Sequence, residues 1–284
     1  MTTLSDPNQD QIAYWNSSAG KKWLAAQEHT DVMLAPVSQV LLTAAAPQQG
    51  AAVLDIGCGC GATTVELAEA VGPQGRVFAI DVSEPMLGRA RERLSAYPHV
   101  ELALADASVY AFQSFADLAI SRFGVMFFAD PTAAFANVIS ALKPGGRLIF
   151  ACWRKLEENP WMQVPLHAAY YAGVPRVERP GPEDPGPFSF ADPERVTRIL
   201  SGAGFQTPRF TKADVRLDVA AGGGLPAAVH QSLTIGATSR ALQDQPDDLR
   251  KAATDAVEEA LRPYLKDRTV YLPAAIWLVE SARP

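Results

Sequence analysis

Asp55 stands two residues ahead of three alternating glycines in the run Val53-Leu54-Asp55-Ile56-Gly57-Cys58-Gly59-Cys60-Gly61. The apolar residues before the glycines read as a buried strand and Ala62-Thr63-Thr64 as the start of a helix, so the glycines occupy a strand-to-helix turn. Lacking Cβ atoms, the glycines let a ligand approach the backbone and tolerate positive φ. Gly57-x-Gly59-x-x-Ala62 also satisfies the formal fingerprint of a dinucleotide site. Asp55 argues against that use, because its charge opposes a pyrophosphate seated on the helix N-terminus. The same charge suits an α-amino group, and the turn therefore points to a nucleoside cofactor with a positively charged tail.

Three more segments follow in order. Val77-Phe78-Ala79-Ile80-Asp81 is an apolar strand ending in an acid that can accept hydrogen bonds from both hydroxyls of a ribose. Val82 and Met86 follow it. Asp106 and Ala107 come directly after the strand-like run Val100 to Leu104, and Leu142-Lys143-Pro144-Gly145-Gly146 is a turn that feeds a further strand.

Together these four motifs, over roughly residues 50 to 152, resemble the class I S-adenosylmethionine-dependent methyltransferases, in particular the small-molecule, methyltransferase-11/25-like branch. The resemblance implies an α/β fold: a Rossmann-like doubly wound sheet of seven strands, six parallel and one antiparallel, with helices on both faces. It implies S-adenosyl-L-methionine as cofactor and S-adenosyl-L-homocysteine as product. Asp55, Gly57, Gly59, Gly61, Asp81, Val82, Met86, Asp106 and Ala107 are then the cofactor-binding residues, with Asp106 at the adenine amino group. Ser121 and Arg122 end the fourth strand, where Arg122 is either a solvated charge or a fork for the methionine carboxylate. The Asn/Asp-Pro-Pro-Tyr/Phe motif of amino-methylating nucleic-acid enzymes is replaced here by Ser121-Arg122-Phe123-Gly124. The same segment departs from the quinone C-methyltransferases, so likeness to them lies in the shared fold.

The elements that must position these residues are readable from period and punctuation. Helix is expected over Gln9 to Leu42, then strand 51–56, helix 62–71, strand 76–81, helix 85–96, strands 100–104 and 117–121, helix 132–142 and strand 146–152. A Pro-rich stretch follows, with a helical piece around Trp161 to Ala172. Helix 193–202, a strand from about Arg209 to Val219, helices 226–242 and 247–262, and a closing strand from Thr269 to Glu280 complete the chain. One domain over 1–284 is expected: a helical lid (1–45), a cofactor-binding core (46–152), a Pro-rich cap (153–192) and a C-terminal part (193–284) carrying a helical insertion (225–265). Tyr14 and Trp15 lie in the lid, where they either contact cofactor or dock the helix. Adjacent positions on one helix do not easily both face a ligand.

The four histidines show no metal spacing, and no metal is expected. His167, in the Pro-rich cap, is the best candidate for a general base. Phe127 and Phe128 read first as core packing, and Cys58 and Cys60 as small packing residues with reduced thiols.

A formal net charge of −6 lacks the basic footprint of a nucleic-acid reader. There is no basic-then-apolar leader at the N-terminus and no apolar run long enough to span a bilayer, so a cytoplasmic protein without membrane insertion is expected, and the resemblance implies a small-molecule acceptor. Two other functions fit the same residues: an NAD(P)-dependent oxidoreductase and a non-catalytic S-adenosylmethionine-binding protein. Asp55 and the Lys143-Pro144-Gly145-Gly146 turn count against the oxidoreductase.

Overall fold

The computed structural model describes residues 8–178, 181 and 183–284; residues 1–7 of the expected lid and 179, 180 and 182 of the expected cap lie outside them. The chain begins with helices α1 (Gln9–Asn16), α2 (Ser18–Ala25) and α3 (Gln27–Ala45). A repeating unit then runs β1 (Ala52–Ile56), α4 (Ala62–Val71), β2 (Arg76–Asp81), α5 (Glu84–Leu94), β3 (Val100–Leu104), β4 (Ala116–Arg122), α6 (Pro131–Ala141) and β5 (Leu142–Trp153). The rest comprises α7 (Pro160–Tyr171), α8 (Pro193–Gly202), β6 (Arg209–Asp218), α9 (Gly224–Thr234), α10 (Ala237–Ala241), α11 (Asp247–Leu261), the two-residue β7 (Leu265–Lys266) and β8 (Thr269–Ala282).

The strands form one sheet in the order β3-β2-β1-β4-β5-β8-β6, with β7 pairing on β8 outside that path. The pairs β1–β2, β1–β4, β2–β3 and β4–β5 are parallel, whereas β8 runs antiparallel to both β5 and β6. The seven-strand path thus has the expected six strands in one direction and one reversed. The order reverses between β1 and β4, where a crevice opens outside the carboxyl ends of the strands. Above and below, α3 packs on β4, β5 and β6, while α6 packs on β5 and α8. Central strands read as unbroken apolar runs because both faces are covered: Val53, Leu54, Ile120 and Ile149 are all buried. Phe135 of α6 lies fully buried against Phe150 of β5 and Phe190, with ring centroids 5.7 and 6.1 Å away.

Differences from the sequence reading lie at breaks. The helix expected over Gln9 to Leu42 is three helices: Ser17 is extended, and its hydroxyl donates to Tyr14 O and receives Ala19 N–H, capping α2, while Ala26, at φ −95° and ψ 10°, separates α2 from α3. Gly20 makes that break possible: a Cβ there would lie 1.8 Å from Trp15 O. Residues 226–242 likewise divide at Gly236, whose φ is +86°. Strand β5 starts at Leu142 rather than 146, since Leu142 pairs with Ala116 before a register shift and the Gly145–Gly146 turn is stitched to Arg283 by two backbone bonds.

Candidate functional site

Strand β1 delivers the chain to the glycine turn at the sheet's crevice. Gly57 and Cys58 both donate to Ile80 O (2.9 and 3.2 Å), and Gly59 N–H donates to Asp81 Oδ2 at 2.7 Å. Asp81 accepts from Ser83 N–H at 2.8 Å through its other oxygen, so one carboxylate ties the turn to the end of β2. Burial pushes the Asp81 pKa up, opposed by the backbone N–H groups of Ser83, Gly59 and Val82. Gly57, Gly59 and Gly61 take φ of +68°, +55° and +78°. They do different work. A Cβ on Gly57 would meet Gly124 Cα at 2.7 Å, and one on Gly59 would meet Met86 Cε at 3.0 Å. Gly61 heads α4, where a Cβ would press on Ala90 and Leu94 of α5 at 3.2 Å.

The turn borders a cavity of about 510 Å³ whose lining includes Asn8 before α1 and Arg240 of α10. Of the residues singled out from sequence, Tyr14, Trp15, Gly57, Gly59, Asp81, Val82, Met86, Asp106, Ala107 and Arg122 line it. Asp106 accepts from Ser108 N–H and Oγ and from Asn8 Nδ2, each at 2.8 Å. Asn8 in turn accepts from Ala129 N–H at 2.7 Å. Its role carries no motif, because it depends on a contact between segments 98 residues apart in sequence. Tyr14 and Trp15 both line the cavity, contrary to the one-face expectation, since adjacent helical positions lie only about 100° apart and the cavity wall takes in both. Asn16 bridges the helix to β2's exit, donating to Val82 O at 2.8 Å and accepting from Glu84 N–H at 3.1 Å.

Four other residues do not reach the wall. Asp55 is 1% exposed and lies beneath the turn, accepting from Thr64 Oγ1 at 2.7 Å. Burial pushes its pKa up to about 6, against the Thr64 bond and the Arg122 charge, which lower it. Ser121 faces away, donating to Ile56 O at 2.7 Å and accepting from Val125 N–H at 3.3 Å, because successive strand residues alternate and it is Arg122 that points to the cavity. Gly61 packs helices, as above. His167 sits half-buried on α7, off the wall formed by Trp161, Met162 and Pro165.

Sequence reading missed Asp31. It lines the cavity from α3, and its Oδ2 accepts from Gln27 Nε2 and from Arg93 Nη1, the latter at 2.8 Å. Arg93 also holds Cys60 O at 3.0 Å, fixing α3 to the turn. Arg122 donates to Ser38 Oγ at 2.6 Å. Burial lowers its pKa, offset by the charges of Asp31, Asp55 and Glu66. This end of the cavity therefore presents a carboxylate and a guanidinium together. Cys58 and Cys60 also line the wall, but burial drives Cys58 well above the usual thiol range and Cys60 to about 11, leaving both as neutral thiols. Phe127 and Phe128 line it too, with Phe127 edge-on to Trp15 at 5.2 Å.

A doubly wound sheet whose switch point holds a turn of three positive-φ glycines, two acids at successive strand ends, and a carboxylate and a guanidinium on the same wall has the architecture of a nucleoside-binding α/β protein. The methyltransferase domain family matches residues 53–146. Over 169 residues the chain is 30% identical to demethylmenaquinone methyltransferase of Staphylococcus aureus, covering 56% of this chain and 69% of that one. It is 36% identical over 119 residues to aklanonic acid methyltransferase DauC of Streptomyces sp. strain C5, a match covering 40% of this chain but 54% of that relative. The fold is similar to that of YcgJ from Bacillus subtilis, with a TM-score of 0.55 and 16% identity, over 87% of this chain and 97% of that one. The chain belongs to the class I S-adenosylmethionine-dependent methyltransferases, whose cofactor is S-adenosylmethionine.

The residues fit that cofactor. The glycines of the turn offer backbone to a sulfonium chain, Asp81 and Asp106 retain unused lone pairs on the wall, and Asp31 and Arg122 add an acid and a guanidinium to the same lining. Among the described residues no helix is long and apolar enough to cross a membrane.

Proposed function

We propose that this methyltransferase acts on a small-molecule acceptor, by in-line displacement at the cofactor's methyl group. The observation that supports this best is the cavity itself: one continuous space joins the glycine turn to an aromatic chamber walled by Phe123, Trp153 and Trp161. The bound sulfonium would supply an already activated methyl group, so the protein's part is alignment and exclusion of water.

In this reading Asp106 and Asn8 hold the adenine end and Asp81 the ribose. Arg122 takes the methionine carboxylate and Asp31, rather than the buried Asp55, takes the ammonium. Asp55 acts at one remove, through Thr64 on the first turn of α4 and through its field on Arg122. Tyr14 and Trp15, tied to β2's exit through Asn16, close the face above Val82 and Met86. No imidazole of the described residues lines the cavity, which favours an acceptor that is nucleophilic without a general base from the protein. Small-molecule acceptors are named for both curated relatives above, aklanonic acid and demethylmenaquinone.

The test is incubation with labelled S-adenosylmethionine and a metabolite extract. Label in a low-molecular-weight product supports the reading. Label confined to protein or nucleic acid, or cofactor binding without any transfer, overturns it in favour of a macromolecular acceptor or a binding protein. Calorimetry with NADH decides the oxidoreductase alternative.

A further inference from the structure

The cavity beyond the glycine turn is flat-walled. Phe123 and Trp153 stack with centroids 4.2 Å apart and planes within 16°, and Trp161 lies 5.0 Å from Trp153. Phe123 holds φ at +71°, a conformation that a bulky side chain seldom adopts, and its ring is set against Trp153 on the wall. Aromatic faces arranged in this way favour a planar π ligand in offset or edge contact.

Charge on that wall is unevenly satisfied. Two cations of the described residues line the cavity, Arg122 and Arg240. Arg122 is bonded to Ser38 and sits in the field of three carboxylates. Arg240, exposed near the end of α10, has no ion pair or side-chain hydrogen bond among the described residues. In a chain of net charge −6, an unpaired guanidinium at the mouth of an apolar chamber is a local attractor for an anion. Deeper in, Gln231 is 6% exposed and lines the same space, and its amide reaches Thr30 Oγ1 only at 3.5 Å. That contact is too long for a strong bond, so the amide keeps capacity for a hydroxyl or keto oxygen.

We propose that the acceptor is a planar aromatic anion, seated against the open sides of the Phe123 and Trp161 rings, which the buried Trp153 backs, with its charge on Arg240 and a ring oxygen on Gln231. The proposal rests on the methyltransferase reading and narrows its substrate class. The experiment is calorimetry on full-length protein saturated with S-adenosylhomocysteine, at pH 7.5, with three probes: 1-hydroxy-2-naphthoate, 1-naphthol and cyclohexanecarboxylate. The hydroxynaphthoate should bind about tenfold more tightly than either of the others, consistent with one charge-assisted contact and one stacked ring system. Arg240→Gln should abolish its advantage over 1-naphthol while leaving 1-naphthol and S-adenosylhomocysteine affinities unchanged. Gln231→Leu should weaken both naphthyl probes and spare the cofactor product. Equal affinities, no hydroxynaphthoate binding, or an advantage that survives Arg240→Gln overturns the acceptor class. If S-adenosylhomocysteine itself fails to bind, the methyltransferase site assignment falls, and this inference falls with it. Binding of S-adenosylhomocysteine without discrimination among the probes sinks the acceptor class alone.

Discussion

Gly57 and Gly124 meet backbone to backbone: a Cβ placed on either would come within 2.8 Å of the other's Cα. This contact brings the turn after β1 against the segment after β4, the two walls between which the sheet order reverses. Gly57→Ala introduces both a strained positive φ and a steric overlap with main chain that has no rotamer to yield. A loss of at least about 2 kcal/mol of unfolding free energy is expected, measured by urea denaturation. A variant of unchanged stability means that the two loops do not touch.

Asp55 makes stability depend on pH. Burial raises its pKa from the ordinary aspartate value of 3.8 to about 6 in the folded protein. A carboxyl raised in this way favours the folded state fully below the unfolded pKa, and the benefit is lost as pH rises through the folded value. Asp55→Asn, which removes the titration, should therefore gain on the parent between pH 4 and pH 7, by up to about 3 kcal/mol at pH 7 and above. Melting temperatures of both proteins at pH 4.5 and 8 check this. A difference independent of pH shows that Asp55 titrates normally.

Asp31 should discriminate by ligand. Asp31→Asn should weaken S-adenosylhomocysteine about tenfold and leave 5′-methylthioadenosine, which lacks the amino-acid end, untouched. Equal losses for both ligands point to a collapsed turn through Arg93 and Cys60, not to recognition of the ammonium.

Asp81→Ala removes the acceptor of two backbone N–H groups as well as a ribose partner. Cofactor affinity should fall tenfold or more. Retention of affinity in a folded variant makes Asp81 a turn former.

The N-terminal helices should respond to ligand. With S-adenosylhomocysteine bound, amides from Gln11 to Trp23 and from Gly57 to Gly61 should exchange more slowly. Asn8→Ala, which cuts the bonds to Asp106 and Ala129, should remove the first effect and spare the second. Exchange at 11–23 that ignores ligand makes Tyr14 and Trp15 docking residues.

The sheet was readable because its strands carry apolar runs with local punctuation, β1 closed by Gly57 and β2 by Asp81. The acids at strand ends were readable as residues but not as roles. Whether Asp55 faces a ligand or lies under the turn depends on Thr64, nine residues on, and on how α4 rises from Gly61. Ser121 and Arg122 could be told apart only by which face of β4 each takes. Asn8, Asp31 and Gln231 left no trace, since their places are set by helices packing across long sequence separations. His167 looked suitable by neighbourhood in sequence, yet it stands on the face of α7 opposite Trp161, Met162 and Pro165, which line the wall.

The reversed strand has a consequence for how the protein is made. Within the seven-strand path β6, residues Arg209–Asp218, pairs with β8 and no other strand, and β8 comes only at Thr269–Ala282. During synthesis from the N-terminus, β1 to β5 can assemble on the ribosome with their own crossovers. By contrast, β6 must wait through three helices for a neighbour, its edge open throughout. The chamber's outer wall, built from α9 and α10, lies inside that waiting stretch. A nascent chain stalled before Thr269 would therefore hold the glycine turn and its acids in place on a sheet lacking its last two strands. Cofactor affinity and a finished acceptor site would thus be acquired at different moments, the second only when the final fourteen-residue strand slides between β5 and β6.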